Sequence, residues 1–320
     1  MALKLPLPMH LLLWRVDGLA VKFSNGGAQQ PWPIRGILKK RNRIRYCFAT
    51  AEMKEKIGFR LNQAIALWDE ALGGGAGKET GHNLAFSEVK FAGIPQHCFK
   101  EFFPAYWNGK RNNLVSNDVL AVIWKDKASS GGVSSATIGY TPRERASPEE
   151  LKGLRHRLYI AENTEAHTIA HEIGHVLGLD HEMSRLDRDD FVEFRCTKLK
   201  GLASAILSAQ SKPKNSDLTV LEISNKLCTD HNFALENRFP AFNYLSSTDK
   251  RDKDKNFDIV SLMMYGSTAF ASLDCRATSL EQCPLVKIKR TNGVKVGVEE
   301  IKWAVRPSKE DIAFVRKYYP

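Results

Sequence analysis

The sequence predicts an α+β fold with two lobes. Strand-like and helix-like segments follow one another up to about residue 181, whereas the hydrophobic pattern loosens after Asp189. At the junction, residues 171–182 concentrate histidine and glutamate. We therefore expect an N-terminal lobe with a twisted, mostly parallel sheet and two long helices, followed by a largely irregular C-terminal lobe. A functional site would lie on the floor of a cleft between the lobes.

Hydrophobic periodicity places the elements of the N-terminal lobe. Apolar residues spaced by three and four predict a long helix over residues 53–72, which three consecutive glycines end. Residues 119–124 are nearly all apolar, which is typical of a central strand buried on both faces. Residues 129–140 are small and polar, as in an exposed edge strand. The predicted strands cover residues 43–49, 83–91, 119–124 and 129–140, and the predicted helices cover residues 53–72 and 164–178.

The C-terminal lobe is expected to contain a helical pair and a terminal helix. Apolar residues on both sides of a Lys-Pro-Lys-Asn turn predict the pair within residues 196–228. The outer ends of an antiparallel helical hairpin lie together, so a disulfide between Cys196 and Cys228 is geometrically natural. Ser308-x-x-Asp311 is similar to a capping box and predicts the start of the last helix.

Six cysteines without a C-x-x-C pair argue against a thiolate zinc site. Their even number suits disulfides in an exported protein, with reduced, buried cysteines as the alternative. Besides the pair above, Cys275 and Cys283 could close a short loop. We therefore predict a secreted protein. Residues 1–31 are interpreted as an N-terminal extension that could be a signal or pro-segment, although they lack a convincing signal peptide.

Charge and hydropathy narrow the classes of function. The net charge of +11 favours acidic partners. The densest basic cluster, residues 35–45, alternates with apolar residues as on the wet face of a strand, so we expect no nucleic-acid binding. No run of about 18 apolar residues occurs, and we expect no membrane-spanning helix.

The histidine-rich segment reads H-E-x-x-H-x-x-G-x-x-H. On a helix, His171 and His175 project from one face and can bind one Zn²⁺, while Glu172 reaches the zinc-bound water. Gly178 can adopt the left-handed conformation that ends a helix, which lets His181 return as a third ligand. The fourth position stays open, as in catalytic rather than structural zinc sites.

Beyond this motif, the chain resembles the astacin family of metzincin metalloproteases. Residues 181–192 read H-E-M-S-R-L-D-R-D-D-F-V, much like the family's H-E-x-x-R-x-D-R-D-x-Y-V. Residues 261–266, S-L-M-M-Y-G, look like its S-I-M-H-Y-G Met-turn, and residues 308–318 resemble its terminal helix. The likeness spans residues 32–320. It implies a metzincin-like catalytic domain with subdomains at 32–181 and 182–320.

The resemblance implies a zinc-dependent endopeptidase with one catalytic ion. Glu172 is then the general base for the zinc-bound water, and Met263 lies under the metal as a hydrophobic floor. Tyr265 is implied to be a fifth ligand that can swing to the tetrahedral intermediate. A protein or peptide substrate would pair in extended form with the edge at Ser129–Tyr140. The zinc ligands implied by the family are His171, His175, His181 and Tyr265.

Three departures from the family pattern limit which properties of the family can be expected of this chain. Met264 stands where members usually have histidine, and the usual family disulfides are missing, while residues 196–228 look like an insertion. The alternative to an enzyme is an inactive zinc-binding homologue that serves as an adhesion or protein-interaction module. The intact Glu172 argues against it, because a pure binding protein has no need of that carboxylate.

Overall fold

The computed structural model of the chain describes residues 29–34, 41–100, 111–130, 132–148, 150, 154–245 and 257–320. Within these residues the secondary structure is mixed α and β. The strands are β1 (Asn42–Phe48), β2 (Leu84–Glu88), β3 (Lys90–Phe91), β4 (Ile94–Pro95), β5 (Leu120–Lys125), β6 (Ser135–Ala136), β7 (His156–Ala161), β8 (Val192–Phe194), β9 (Leu285–Thr291) and β10 (Val294–Glu299). The helices are α1 (Ala51–Leu72), α2 (Lys127–Ser130), α3 (Ala166–Leu177), α4 (Leu202–Gln210), α5 (Val220–Thr229), α6 (His231–Glu236) and α7 (Lys309–Tyr318).

A five-stranded sheet forms the centre of the N-terminal part. Its strand order is β2-β1-β5-β7-β6, in which the first four strands are parallel and β6 pairs antiparallel with β7. Strand β5 lies between β1 and β7, and its first four side chains are buried. The predicted mostly parallel sheet is therefore confirmed, and so is the central position of its most apolar strand.

Helices α1 and α3 share one hydrophobic core with side chains of the sheet. Helix α1 begins at Ala51, two residues before the predicted start, because the Thr50 side chain accepts a hydrogen bond from the Met53 amide at 3.2 Å. The indole Nε1 of Trp68 donates to the Ala170 carbonyl at 2.9 Å and so joins α1 to α3. The core therefore fixes the helix that carries the first two histidines.

The predicted edge strand over residues 129–140 is largely wrong. Only β6 pairs with β7, and Tyr140 instead exchanges two backbone hydrogen bonds of 2.9 Å with Gln30. Gly132 and Gly139 have φ values of 80° and 61°, which break the extended conformation between these contacts. The edge is thus a short strand between two bends.

The C-terminal part contains a three-stranded antiparallel sheet, β10-β9-β8, that the sequence analysis did not predict. The turn between β9 and β10 is Asn292-Gly293, with φ values of 52° and 80°. This dipeptide is a strong local signal for a tight hairpin. The sheet contributes Leu285 to a second hydrophobic core.

Three disulfides form within the described residues. Cys196 pairs with Cys228 across α4 and α5, and Cys275 pairs with Cys283 around a short loop, so both predicted pairs are confirmed. The third joins Cys47 of β1 to Cys98.

The last helix, α7, begins with the predicted capping box. The Ser308 side chain accepts from the Asp311 amide, and the Asp311 carboxylate accepts from the Ser308 amide. Phe314 and Val315 of α7 pack in the N-terminal core. In the described part of the chain, no helix is both long enough and apolar enough to cross a membrane.

Candidate metal centre

Helix α3 carries His171 and His175 and ends so that His181 returns to them. His171 and His175 lie one turn apart and are buried, with 8% and 6% of their surface exposed. Gly178 adopts a φ of 108°, and the amides of Gly178 and Leu179 donate to carbonyls of the last helical turn. This left-handed end turns the chain back, and His181 joins the other two histidines.

The Nε2 atoms of the three histidines converge. His181 Nε2 lies 3.3 Å from His171 Nε2 and 3.1 Å from His175 Nε2. His171 Nδ1 donates to the Leu262 carbonyl at 2.7 Å, and His175 Nδ1 donates to the Leu179 carbonyl at 2.9 Å. These bonds leave both Nε2 lone pairs facing the same point.

This donor set fits a zinc ion. Tetrahedral zinc with Zn–N bonds of about 2.0–2.1 Å separates its ligand nitrogens by about 3.4 Å, close to the separations found here. Burial, reinforced by the neighbouring His175, lowers the pKa of His171 to about 3. At neutral pH the ring is therefore uncharged and able to bind a metal.

Glu172 is a buried carboxylate beside the histidines. It is 6% exposed, and its Oε2 atom has no hydrogen-bond partner among the described residues. Burial raises its pKa to about 8. A cation held by the three histidines would favour the charged form and bring this pKa down. An orphaned carboxylate oxygen at this place is suited to accept a proton from a bound molecule.

Tyr265 packs against the histidines. Its ring centroid lies 4.6 Å from that of His181 and 5.9 Å from that of His171. Tyr244 and Phe270 hold the other sides of the ring, with centroids 5.5 Å and 5.7 Å away. Burial, with a smaller contribution from Glu172, keeps the pKa of the phenol well above its usual value. The hydroxyl therefore stays protonated and can donate a hydrogen bond.

Two open cavities meet at this cluster, and both are lined by Glu172 and Tyr265. One, of about 580 Å³, also reaches His171, and the other, of about 600 Å³, reaches His175 and His181. An extended chain could therefore pass the histidines with side chains in both cavities.

Residues 151–220, which include all three histidines, match the model of the peptidase family described as Astacin. Over these residues the chain is similar to the astacin metallopeptidases. The resemblance predicted from the sequence is confirmed over this segment, and the family match and the histidine cluster together indicate zinc. A search of curated proteins found no match.

The chain is also similar to three solved structures. One is high choriolytic enzyme 1, a hatching enzyme zinc-protease from Oryzias latipes (medaka fish), at 17% identity and a TM-score of 0.46, covering 90% of this chain and 94% of that chain. The others are two structures of myroilysin. One has 12% identity and a TM-score of 0.41, covering 91% of this chain and 96% of that chain. The other has 15% identity and a TM-score of 0.39, covering 96% of each chain.

The turn at residues 261–266, which resembles the family's Met-turn, packs directly under α3. Met263 is fully buried, and a Cβ added at Gly174 would overlap its Sδ atom. A side chain at position 174 would therefore displace the Met263 thioether from its place against the helix. The sequence analysis placed Met263 near the metal but missed Gly174, whose role depends on a contact about ninety residues away in the chain.

A buried ionic network holds the segment after His181. Arg185 donates to Glu182 at 3.1 Å and forms two hydrogen bonds with Asp187, at 2.9 Å and 2.7 Å. The Asp258 amide also donates to the Glu182 carboxylate, at 2.9 Å. The Glu182 amide in turn donates to the Met263 carbonyl at 3.1 Å. The Arg and Asp of the extended motif thus fix the path of the chain beyond the third histidine.

Asp311 connects the last helix to the Met-turn. Its fully buried carboxylate accepts from the Ser261 hydroxyl and from the Leu262 amide, both at 2.8 Å. The Leu262 carbonyl is the acceptor that orients His171. Asp311 is thus linked through Leu262 to the imidazole of His171, a role that its helix-capping pattern in the sequence does not reveal.

Proposed function

We propose that this zinc endopeptidase binds one Zn²⁺ through His171, His175 and His181 and uses Glu172 as its general base. The observation that carries the proposal is the convergence of three Nε2 atoms beside an unpartnered carboxylate oxygen, at the point where two cavities meet. Family membership alone does not assign these roles to individual residues.

Zinc bound at this site would act as a Lewis acid on the scissile carbonyl and would make the attacking water more acidic. The Oε2 atom of Glu172 accepts the water proton and then delivers it to the leaving amine. The Tyr265 hydroxyl donates to the negative charge that develops on the carbonyl oxygen, and it is the candidate fifth ligand before the reaction. Met263 supports the histidines from below as a packing residue.

We propose that a protein or peptide substrate binds in extended form beside the edge segment Ser129–Tyr140. The described part of this segment offers a short strand, and Val133 and Ser134 line both cavities. Main-chain hydrogen bonds at such an edge bind a peptide without demanding a particular sequence. Side chains in the cavities then supply selectivity.

We further propose that the protein acts in an oxidising, extracellular compartment. The support is the set of three disulfides, since such bonds persist mainly in secreted proteins.

The direct test is digestion of casein and of a quenched-peptide mixture, with and without 1,10-phenanthroline. Cleavage is expected without the chelator and should stop in its presence, then return when zinc is added. A zinc-loaded protein that cleaves no peptide would favour the zinc-binding, non-catalytic alternative. Cleavage that resists the chelator would contradict the role of the metal.

Replacing Tyr265 with phenylalanine is expected to lower kcat by about 10²-fold, because one hydrogen-bond donor to the oxyanion is lost. KM should change little, and zinc content should stay the same, since three histidines remain. The matched control is Tyr318→Phe, the same change at a partly exposed tyrosine of α7. Equal kcat values for the two variants would refute the role of the Tyr265 hydroxyl.

A further inference from the structure

Trp303 stands in the wall of the cavity that contains His171 and Glu172. Its surface is 47% exposed, whereas Trp32 and Trp68 are almost completely buried in the core. A large aromatic face left open to water inside a cavity loses the free energy that burial would give. A ligand that covers this face would recover it.

The structure holds this indole in one orientation. Its Nε1 atom donates to the Thr268 hydroxyl at 3.2 Å. The ring also lies on the bare backbone of Gly266, where an added Cβ would come within 2.8 Å of the indole Cδ1. The centroid of the indole is also 5.8 Å from that of the Tyr265 ring. The aromatic surface of Trp303 therefore lies next to the groups proposed to react, and these contacts hold the indole in one rotamer.

Other apolar side chains are exposed in the same cavity. Val133 and Val305 are 48% and 55% exposed, and both line the cavity with Trp303. The proposed scissile bond lies at Glu172, so a side chain one or a few residues from that bond would enter between these walls. Apolar walls favour an apolar side chain there.

We propose that Trp303 is a specificity-determining residue that contacts a large apolar side chain of the peptide substrate near the scissile bond. The proposal rests on the proposed peptidase function of the same site. Gly266 positions the indole, because its lack of a side chain lets the ring reach the cavity.

A peptide library digested by zinc-loaded wild type and variants tests the preference, with cut positions read by mass spectrometry. Wild type should favour a large apolar residue over aspartate by about tenfold at one position near the cut. Trp303→Ala and Gly266→Ala should both reduce this ratio to about twofold, and Trp303→Phe should restore most of it. The control is Leu273→Ala, an 89% exposed residue outside both cavities, which should behave as wild type. Unchanged preference in both Trp303→Ala and Gly266→Ala would overturn the proposal.

A binding measurement separates this proposal from the peptidase function itself. Zinc-loaded Glu172→Gln protein is titrated with a blocked glycine-rich hexapeptide that contains one phenylalanine, and with its aspartate twin. The phenylalanine peptide should bind about tenfold more tightly and change the tryptophan fluorescence, and Trp303→Ala on this background should remove both effects. If wild type cleaves nothing, the peptidase function fails, and this titration alone decides the role of Trp303. Equal affinity for the two peptides would overturn that role.

Discussion

Replacing Glu172 with glutamine is expected to lower kcat/KM for peptide cleavage by about 10³-fold. Glutamine keeps the size of the side chain but cannot take the proton from the attacking water. Zinc should remain bound at the wild-type level, because the three converging imidazoles are untouched. A quenched-peptide assay and a metal analysis on the same preparation measure both quantities.

The matched control is Glu55→Gln, the same chemical change at an exposed position of α1. It should cleave as wild type does. If Glu172→Gln retained wild-type cleavage, Glu172 would not be the general base. If instead it lost zinc together with activity, its role would be to hold the metal site and not to move a proton.

Replacing Asp311 with asparagine is expected to lower the free energy of unfolding by about 3 kcal/mol. The fully buried carboxylate accepts hydrogen bonds from the Ser261 hydroxyl and from the amides of Leu262 and Ser308. The asparagine side chain has only one acceptor oxygen. Its NH₂ group would face one of these donors, where the carboxylate offers a second acceptor oxygen. At least one buried donor would then lose its partner.

Denaturant unfolding of the zinc-free protein measures this change, with Glu310→Gln on the same helix as the control. Glu310 is partly exposed, so its replacement should shift the free energy of unfolding by less than about 0.5 kcal/mol. We also expect Asp311→Asn to bind zinc more weakly, because Leu262 orients His171. An unfolding free energy equal to that of the control would show that the network contributes nothing to stability.

The parts of the site that depend on local sequence could be predicted. Two histidines four residues apart, a glycine that ends the helix and a third histidine three residues later define their own geometry through helix periodicity. The disulfide between Cys196 and Cys228 followed from the hairpin of two adjacent helices. In these cases the residues that interact are close in the chain or joined by one short turn.

The parts of the site that depend on contacts between residues far apart in the chain could not be predicted from the sequence. Gly174 is explained by its contact with Met263, and the role of the Asp311 carboxylate beyond helix capping is explained by the turn that begins at Ser261. Neither contact leaves a periodic pattern in the sequence, because each joins residues far apart in the chain. The position of the Trp303 indole is likewise explained by its contact with Gly266, which is distant in the chain.

Two local features were misjudged. The β9–β10 hairpin was missed although Asn292-Gly293 marks its turn, since lysines on both strands obscured the hydrophobic pattern. Its lysines pair with glutamates, as Lys287 does with Glu299 at 3.0 Å. The edge strand was drawn too long because the bends at its glycines were read as part of an extended segment. Glycine in a strand interior often marks such a bend.

We propose that one zinc ion held by three histidines acts together with Glu172 to hydrolyse peptides. The most direct measurement is a zinc titration of the metal-free protein in which bound zinc and cleavage of one quenched peptide are followed together. Cleavage should rise in proportion to bound zinc and reach its plateau at about one ion per chain. Glu172→Gln should bind the same amount and stay inactive. Two results would contradict zinc-dependent hydrolysis at this site. One is cleavage by the metal-free protein, and the other is a plateau of bound zinc without any cleavage by wild type.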